Sequence, residues 1–249
     1  MPDMSTKLLD GERALVTGCA GGIGRGIAKA LMADGATVLG SDITAPPADD
    51  KIDYVAADLS RPDGWKGLLR EATARLDTIS LFVHAASPRR REEDTPLTVS
   101  EETWDAMTGV NLRSGFFLAR EIGRQMRDHK IKGRILLVTS MHKETPRTLP
   151  HYSASKAGMT MVMKELARTL APNGIRVNAI APGAIPGGGF ARNMDELVAQ
   201  IPLGRPGMPD DVAQMAVAVL SERFGRYVAG TTIEVDGGLG LISWIPSKN

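Results

Sequence analysis

The stretch RALVTGCAGGIGRGIAKALMADG, residues 13–35, decides the fold of this chain. It opens with a short apolar run, residues 13–18, which predicts a buried strand. Four glycines within residues 18–24 follow and predict a tight turn. In the remainder, apolar residues recur at helical spacing. The stretch therefore predicts one β-turn-α unit.

The same alternation of strand and helix patterns continues along the chain. Helical patterns cover residues 64–76 and about 100–129, and two more begin near 151 and at 209. Further strands are predicted for TVLGSD (37–42), YVAAD (54–58), ISLFVHAA (79–86), RILLVTS (134–140), IRVNAIAPG (175–183) and TTIEV (231–235). Such alternation is typical of a parallel sheet with helices on both faces. We therefore expect a single α/β domain with a doubly wound, seven-stranded sheet of the Rossmann type, behind a polar tail at residues 1–10.

Two local patterns refine this prediction. Thr98 and Glu101 stand in capping-box spacing and predict the start of the long helix that runs to about residue 129. The segment between Asp42 and Asp53, ITAPPADDKI, is too short and too rich in proline to hold a crossover helix. We expect a loop or a single turn there.

Composition argues against several classes of function. Thirty Lys and Arg against twenty-nine Asp and Glu leave a net charge of +1, so we expect no nucleic-acid partner. The one cysteine, Cys19, cannot form a disulfide within the chain, which fits a reducing compartment. No apolar run has the length of a membrane span or the form of a signal peptide, so we expect a cytoplasmic protein. The four histidines show no metal-ligand spacing, and we expect no metal.

The glycine turn lies where open α/β sheets bind nucleotides. Backbone N–H groups and the positive end of the helix dipole can meet a diphosphate there, and glycines allow a close approach. A turn required only by backbone geometry gives the same pattern, but the strand before it and the helix after it favour binding. The residues expected to hold the diphosphate are Gly18, Cys19, Gly21, Gly22, Ile23 and Gly24.

Two aspartates follow the next two predicted strands. Asp42 stands eighteen residues past Gly24, where an acid can accept hydrogen bonds from both hydroxyls of an adenosine ribose and repel a 2′-phosphate. Because no Arg or Lys immediately follows it, NAD(H) is favoured over NADP(H); the alternative is a solvated turn aspartate. Asp58 is placed to approach the adenine, and its alternative is to cap the next helix beside Ser60.

The segment YSASK, residues 152–156, opens the next predicted helix. Tyr152 and Lys156 are four residues apart and share one helix face. A free phenol titrates near pH 10, and a cation about 4 Å away favours the phenolate by on the order of 4 kcal/mol at an effective dielectric constant near 20. Such a phenol can act as an acid or a base near neutral pH. Alone, the same spacing also occurs in ordinary exposed helix pairs.

Taken in order, TGCAGGIG, Asp42, Asn111, Ser140, YSASK and RVNAIAPG resemble the short-chain dehydrogenase/reductase family. The resemblance covers nearly the whole chain, through VAGTTIEVDGG. In that family a tyrosine is the acid/base, a lysine lowers its pKa and binds the nicotinamide ribose, a serine holds the substrate oxygen, and an asparagine supports a proton-relay water. The resemblance implies these roles for Tyr152, Lys156, Ser140 and Asn111. It also implies hydride transfer between the nicotinamide and a carbonyl/alcohol pair, and a homotetramer, with a dimer still open.

Some assignments stay open at this stage. Thr139 competes with Ser140, because neighbours on a strand point to opposite faces and the loop to Tyr152 is about one residue shorter than the family's usual spacing. Asn111 lies in the middle of a predicted helix, where asparagine is unfavourable, so we expect a compensating interaction.

The chain also departs from the family at two cofactor segments. His84-Ala85-Ala86-Ser87 replaces the usual Asn-Asn-Ala-Gly, and Ala184-Ile185-Pro186-Gly187 lacks the usual threonine, so the backbone N–H of Ile185 is the expected substitute. The further cofactor residues expected from the resemblance are Asp58, Leu59, Ala85, Ala86, Pro182, Gly183 and Ile185.

The loops after the fourth, fifth and sixth strands are expected to face the substrate. Residues 184–200 predict a lid with glycine hinges and apolar Phe190 and Met194, although a surface loop gives the same pattern. The run Arg89–Arg91 would recruit an anion, but the acids at 92–94 neutralise it and favour a solvated loop. The loop after the fifth strand is polar, which favours a hydroxylated or acidic small molecule as the substrate. The polar residues of this loop are His142, Lys143, Arg147 and His151.

Two other functions compete with this interpretation. A 3-oxoacyl-thioester reductase of the acyl-carrier type has the same fold, and Asp42 argues against its usual NADPH. A non-catalytic NAD-binding sensor or scaffold would not need Ser140, Tyr152 and Lys156 together. The apolar end GLGLISWIP, residues 238–246, supports self-association.

Overall fold

In the computed structural model, residues 7–186 and 194–241 are described. Seven strands form one parallel sheet in the order β3-β2-β1-β4-β5-β6-β7, which confirms the predicted sheet. The strands are β1 (Arg13–Thr17), β2 (Thr37–Asp42), β3 (Asp53–Ala56), β4 (Leu81–His84), β5 (Arg134–Val138), β6 (Arg176–Pro182) and β7 (Thr232–Val235). The order reverses between β1 and β4, and a crevice at the carboxyl ends of such strands is where α/β sheets bind ligands.

Helices cover both faces of this sheet, as the doubly wound prediction requires. They are α1 (Gly22–Ala33), α2 (Pro62–Leu76), α3 (Glu101–Thr108), α4 (Gly115–Asp128), α5 (Pro150–Leu170), α6 (Met194–Val198), α7 (Pro209–Leu220) and α8 (Glu222–Gly225). Alternate strand residues supply two cores: Phe82 packs with α2, α4 and α5, while Leu81 and Val83 pack with α1 and α7. Within the described ranges, no helix is long and apolar enough to span a membrane.

The long helix predicted over about 100–129 is interrupted by a π-helical segment, Gly109–Ser114, between α3 and α4. The capping box predicted for Thr98 and Glu101 is wrong. Ser100 is the N-cap: its extended backbone precedes the helix, and its hydroxyl accepts a hydrogen bond from the Thr103 N–H at 3.2 Å. The Thr98 hydroxyl instead accepts from the Thr95 N–H at 2.9 Å, inside the preceding turn.

The crossover between β2 and β3 is a single 3₁₀ turn, Ala48–Asp50, which confirms the predicted loop or turn. Asp50 anchors this turn to α1, because its carboxylate pairs with Arg25 and accepts a hydrogen bond from Lys29 at 3.1 Å. The β2–β3 edge of the sheet is therefore bordered by a short turn instead of a helix.

Two glycines of α2 give a matched test of how tightly this edge is packed. A Cβ at Gly64 would overlap the carbonyl oxygen of Asp58, whereas a Cβ at Gly67 would meet only the Arg70 side chain, at 3.9 Å. We expect Gly64→Ala to lower the free energy of unfolding by about 2 kcal/mol through overpacking. Gly67→Ala is expected to raise it by about 0.5–1 kcal/mol, since alanine is the better helix former.

Urea unfolding of the two variants and the wild type measures both effects. Equal stability of the two variants would contradict the close packing of Asp58 on α2.

Candidate active site

The glycine turn is fixed by backbone packing at two of its glycines. Gly18 follows β1 with φ +77°, and a Cβ there would lie 2.7 Å from the backbone of Ala85 and Ala86. A Cβ at Gly24 would overlap the carbonyl oxygen of Gly18. These contacts bring the start of α1 against the end of β4, at the switch point of the sheet.

The other two glycines of the turn leave space. The nearest atom to a Cβ at Gly21 would be 4.0 Å away, and at Gly22 it would be 3.9 Å away. Gly21 is the N-cap of α1 and makes no side-chain hydrogen bond to the helix, whose first turn also contains no acid. Backbone geometry alone therefore does not account for these glycines, and an uncapped helix start beside open space fits a diphosphate.

Asp42 lies against the glycine turn. Its Oδ2 accepts a hydrogen bond from the Ala20 N–H at 3.1 Å, and its Oδ1 accepts from the Ile43 N–H at 2.7 Å. The carboxylate is thus held beside the turn, as ribose recognition requires. Neighbouring Cys19 is buried, and burial together with the Asp42 charge raises the pKa of its thiol to about 12. Its side chain is a filler, so only its backbone can face a nucleotide.

Asp58, which follows β3, makes local hydrogen bonds through one carboxylate oxygen, Oδ1, so a cofactor contact through Oδ2 stays a prediction. Asp58 Oδ1 accepts hydrogen bonds from the Ser60 hydroxyl at 2.7 Å and from its N–H at 2.9 Å, and these bonds hold the pKa of Asp58 below its ordinary value. The side chain of Leu59 is buried in the core. Asp58 therefore stabilises the turn before α2, and Leu59 has only its backbone available to an adenine.

Tyr152 and Lys156 lie in the first turns of α5, as predicted, and both are buried. The Lys156 ammonium lies 5.7 Å from the centroid of the Tyr152 ring and donates to the Val138 carbonyl at 2.8 Å. Burial lowers the pKa of Lys156 to about 7, and the nearby Arg90 guanidinium adds to the shift. The Lys156 side chain is thus held beside the Tyr152 ring within the first turns of α5.

The hydroxyls at the end of β5 have different partners. Thr139 donates to the Ile180 carbonyl of β6 at 3.0 Å, so its hydroxyl is engaged within the sheet. Ser140 Oγ accepts from the His142 N–H at 3.2 Å, and its proton has no acceptor in the described parts of the chain. Of the two, Ser140 has the hydroxyl that remains able to donate to a substrate oxygen.

Asn111 lies fully buried in the π-helical segment. Its Nδ2 donates to Ser155 Oγ at 2.9 Å, and the Ser155 hydroxyl in turn donates to the Tyr152 carbonyl at 2.7 Å. This bond to α5 confirms the expected compensating interaction. Asn111 Oδ1 is buried and accepts no hydrogen bond from the described residues, and an open buried acceptor fits a role in holding a relay water.

His84 replaces the family's asparagine and connects three elements. Its Nδ1 lies 2.9 Å from Thr17 Oγ1 on β1, and its Nε2 lies 3.1 Å from the Val110 carbonyl of the π-helical segment. Burial lowers the pKa of His84 to about 4, so the neutral ring donates to Val110 and accepts from Thr17. Gly115 makes room for it, since a Cβ there would lie 2.8 Å from the ring.

The buried neutral His84 predicts a loss of stability in acid. Between its unfolded pKa of 6.5 and its folded pKa of about 4, only the unfolded chain binds the proton, so stability falls as pH falls. His84→Asn removes this titration. We expect the wild type to lose about 2 kcal/mol more than the variant between pH 7.5 and pH 5.0.

Urea unfolding of both proteins at the two pH values is the measurement. Parallel losses would show that His84 is not kept neutral by the fold.

The carboxyl end of β6 completes the crevice. Gly183 donates its N–H to the Val235 carbonyl at 3.0 Å, and a Cβ there would lie 2.6 Å from the Asp236 side chain. Pro182 pairs with Val235 in the sheet. Ile185 buries its side chain against Gly207, so its backbone is the part that can face a ligand. Of the expected lid, residues 187–193, with Phe190, lie outside the described residues.

Two polar side chains from the loops expected to face the substrate lie beside Tyr152, and a third contacts one of them. The Arg90 guanidinium lies 5.2 Å from the centroid of the Tyr152 ring, and the His142 ring lies 6.3 Å from it. Arg147 Nη1 is 3.5 Å from His142 Nε2. The solvated-loop interpretation is therefore wrong for Arg90. The strand order could have predicted this position for Arg90, because the loops after β4 and β5 both begin at the carboxyl edge of the sheet.

Other polar residues of these loops lie apart from this group. Arg89 and Arg91 are exposed. Lys143 pairs with Glu144 and with Glu234 of β7, each at 2.9 Å. In the described part of the chain, no group of three or more His, Cys, Asp or Glu could hold a metal ion.

The comparisons with known proteins agree with this geometry. Residues 18–240 match a family model described as Enoyl-(Acyl carrier protein) reductase. The chain belongs to the short-chain dehydrogenase/reductase family. It is 32% identical to 2-dehydro-3-deoxy-D-gluconate 5-dehydrogenase of Dickeya dadantii (strain 3937), over 94% of this chain and 98% of that protein.

Two solved structures of this fold carry a nicotinamide cofactor. A 3-ketoacyl-(acyl-carrier-protein) reductase from Brucella melitensis, complexed with NADH, has a TM-score of 0.85 at 29% identity and covers 93% of this chain and 99% of its own. A candidate NAD(P)-dependent gluconate 5-dehydrogenase from Beutenbergia cavernae, with bound NADP at low occupancy, has a TM-score of 0.84 at 32% identity over 93% and 97%. This member of the family is an NAD(P)-dependent oxidoreductase that interconverts alcohols and carbonyls.

Proposed function

We propose that the chain is an NAD(H)-dependent dehydrogenase that interconverts a secondary alcohol and a carbonyl on a polar, hydroxylated or acidic small molecule. The observation that carries the proposal is the placement of Tyr152 and Lys156 on one turn of α5. Ser140 lies at the end of β5, and the uncapped start of α1 lies at the same edge of the sheet. Nucleotide binding alone would require none of these three side chains, which argues against a sensor or scaffold.

Each catalytic side chain has a separate task in this proposal. The nicotinamide, when bound, supplies or accepts the hydride. In reduction, the Tyr152 hydroxyl gives its proton to the substrate oxygen, and Ser140 donates a hydrogen bond to the same oxygen. Lys156 stabilises the phenolate that results and binds the nicotinamide ribose. Asn111 holds a water through its open Oδ1 and so helps to return the proton.

We assign NAD in preference to NADP. The carboxylate of Asp42 is held at the glycine turn by the Ala20 N–H, where it would accept bonds from ribose hydroxyls and repel a 2′-phosphate. The two nearby cations of α1, Arg25 and Lys29, are paired with Asp50 and so are not offered to a phosphate. The proposed cofactor residues are Gly18, Cys19, Gly21, Gly22, Ile23, Gly24, Asp42, Asp58, Leu59, Ala85, Ala86, Tyr152, Lys156, Pro182, Gly183 and Ile185.

The proposal also includes a cytoplasmic homotetramer. Half-buried aromatic residues on α4, Phe116 and Phe117, and the exposed Met161 of α5 support an interface along these two helices. Residues 242–249, which contain the apolar end ISWIP, lie outside the described residues.

The reductase acting on acyl-carrier thioesters is the second candidate. The match to the Brucella melitensis reductase favours it, and that structure holds NADH, so Asp42 alone does not separate the two substrates. The polar side chains around Tyr152 favour the small acidic or hydroxylated substrate, because a thioester carbonyl carries no charge.

Tyr152→Phe tests the reaction directly. We expect kcat to fall by at least a thousandfold, on the order of the 4 kcal/mol that the proton transfer contributes, while NADH binding is retained. The measurement is NADH absorbance with sugars, polyols, hydroxy acids and oxoacyl thioesters, together with NADH binding by fluorescence. Tyr227→Phe is the control, because Tyr227 is fully exposed. Near-normal turnover of Tyr152→Phe would remove the phenol from the mechanism.

Asp42→Ala tests the choice of cofactor. Removing the carboxylate takes away both the ribose acceptor and the repulsion of a 2′-phosphate. We expect the ratio of kcat/KM with NAD to that with NADP to fall by about tenfold to a hundredfold, roughly 1–3 kcal/mol. The exposed Asp49 supplies the matched control, Asp49→Ala, for which the ratio should stay within about twofold. An unchanged ratio in Asp42→Ala would assign cofactor preference to other residues.

A further inference from the structure

Two arginines from different loops meet beside the proposed acid/base residue. Arg90, in the loop after β4, places its guanidinium 5.2 Å from the centroid of the Tyr152 ring. Arg147, in the loop after β5, reaches the same region and contacts His142, whose ring packs edge-on to Tyr152. The two arginine side chains are only 19% and 20% exposed. Guanidinium groups are rarely withdrawn from water to this extent without an anionic partner.

The chain's own carboxylate shows what these arginines bind. Arg147 Nη2 donates to both carboxylate oxygens of Glu92 at 2.7 Å, and Arg90 Nε donates to Glu92 Oε1 at 3.2 Å. Burial opposes ionisation, but the hydrogen bonds from Arg147 hold the pKa of Glu92 below its ordinary value. Glu92 therefore stays charged and fixes the orientation of both guanidinium groups.

One carboxylate, Glu92, is shared by the two guanidinium groups. His142 adds no positive charge to them, because burial lowers its pKa and its Nδ1 donates to the Thr145 carbonyl at 3.1 Å.

Arg90 keeps the donors that a bound carboxylate would need. Its Nε is bonded to Glu92, but its two terminal nitrogens make no hydrogen bond within residues 7–186 and 194–241. A planar guanidinium fork matches a carboxylate. Because the guanidinium lies over the ring that bears the reacting hydroxyl, a carboxylate bound there would belong to a group close to the reacting carbon.

We propose that Arg90, oriented by Glu92 and Arg147, binds a carboxylate of the substrate, so that the enzyme acts on a hydroxy acid and its oxo acid. This inference rests on the proposed dehydrogenase function and names its substrate class. An acyl-carrier thioester has no free carboxylate beside its reacting carbonyl and would leave Arg90 without a partner.

A different role for Arg90 makes a different prediction. In that role the guanidinium acts only by packing on the Tyr152 ring and by lowering the pKa of Lys156 through charge repulsion. The loss of Arg90 would then slow the reaction of every substrate equally. Matched acidic and neutral substrates separate the two roles.

The test compares acetoacetate with ethyl acetoacetate in the NADH-linked direction, and 3-hydroxybutyrate with ethyl 3-hydroxybutyrate in the NAD-linked direction. The quantity measured is the ratio of kcat/KM for the acid to that for its neutral partner. We expect the wild type to favour the acid by at least tenfold, and Arg90→Gln to lower this ratio by tenfold to a hundredfold. Arg90→Lys should lower it less, because the charge remains while the fork is lost.

Arg89→Gln is the matched control, because Arg89 is the exposed neighbour in the same run. Its loss removes the same charge from the loop, and we expect the ratio to stay within about twofold, as for an exposed and screened charge. Circular dichroism and NADH binding of each variant show that the fold is retained.

Two results would overturn the inference while leaving the dehydrogenase assignment intact. One is a wild type that converts the neutral partners as well as the acids. The other is an Arg90→Gln variant that slows both members of each pair equally.

Failure of the proposed function would look different: NADH would bind, but no carbonyl or alcohol would be converted. In that case titration of acetoacetate into the protein–NADH complex, followed by fluorescence, decides the carboxylate site. Binding weakened at least tenfold in Arg90→Gln supports the site, whereas equal binding or no binding to the wild type overturns it.

Discussion

The site depends on one close contact, the packing of the glycine turn against the end of β4. Gly18 leaves no room for a side chain beside Ala85 and Ala86, and Gly24 leaves none beside Gly18. This contact brings the start of α1 to the point where the strand order reverses. An uncapped helix start and a crevice in the sheet then coincide, which is the geometry that binds a diphosphate.

The same contact organises the proton chemistry through β4. His84, the next residue back along the chain, joins β1 to the π-helical segment, and that segment carries Asn111 to Ser155 on α5. The nucleotide side and the phenol side of the crevice are therefore connected by buried hydrogen bonds and not by loops. A buried polar group without a partner costs free energy, so each hydrogen bond in this series restricts the position of the residue that makes the next one.

The second feature of the crevice is the positive charge beside Tyr152. Arg90 and Lys156 both lie near the Tyr152 ring, 5.2 Å and 5.7 Å from its centroid, and their mutual repulsion adds to the burial that lowers the pKa of Lys156 to about 7. A bound anion at Arg90 would relieve this repulsion and favour the charged lysine. The charge of a substrate bound at Arg90 would thus be coupled to proton transfer at Tyr152.

The sequence by itself determined the strands, most helices, the glycine turn and the Tyr152–Lys156 pair, because each is written in local periodicity or short spacing. Other features needed the tertiary structure. Only the packed structure shows that Ser100 caps α3. Only the sheet shows that the Thr139 hydroxyl donates to the Ile180 carbonyl, which leaves Ser140 as the hydroxyl able to donate to a substrate. The sequence predicted a solvated loop for Arg90, because the three acids that follow the arginine run neutralise its charge. Arg90 is instead held over the ring of Tyr152, sixty-two residues further along the chain, because parallel strands end at one edge and bring distant loops together.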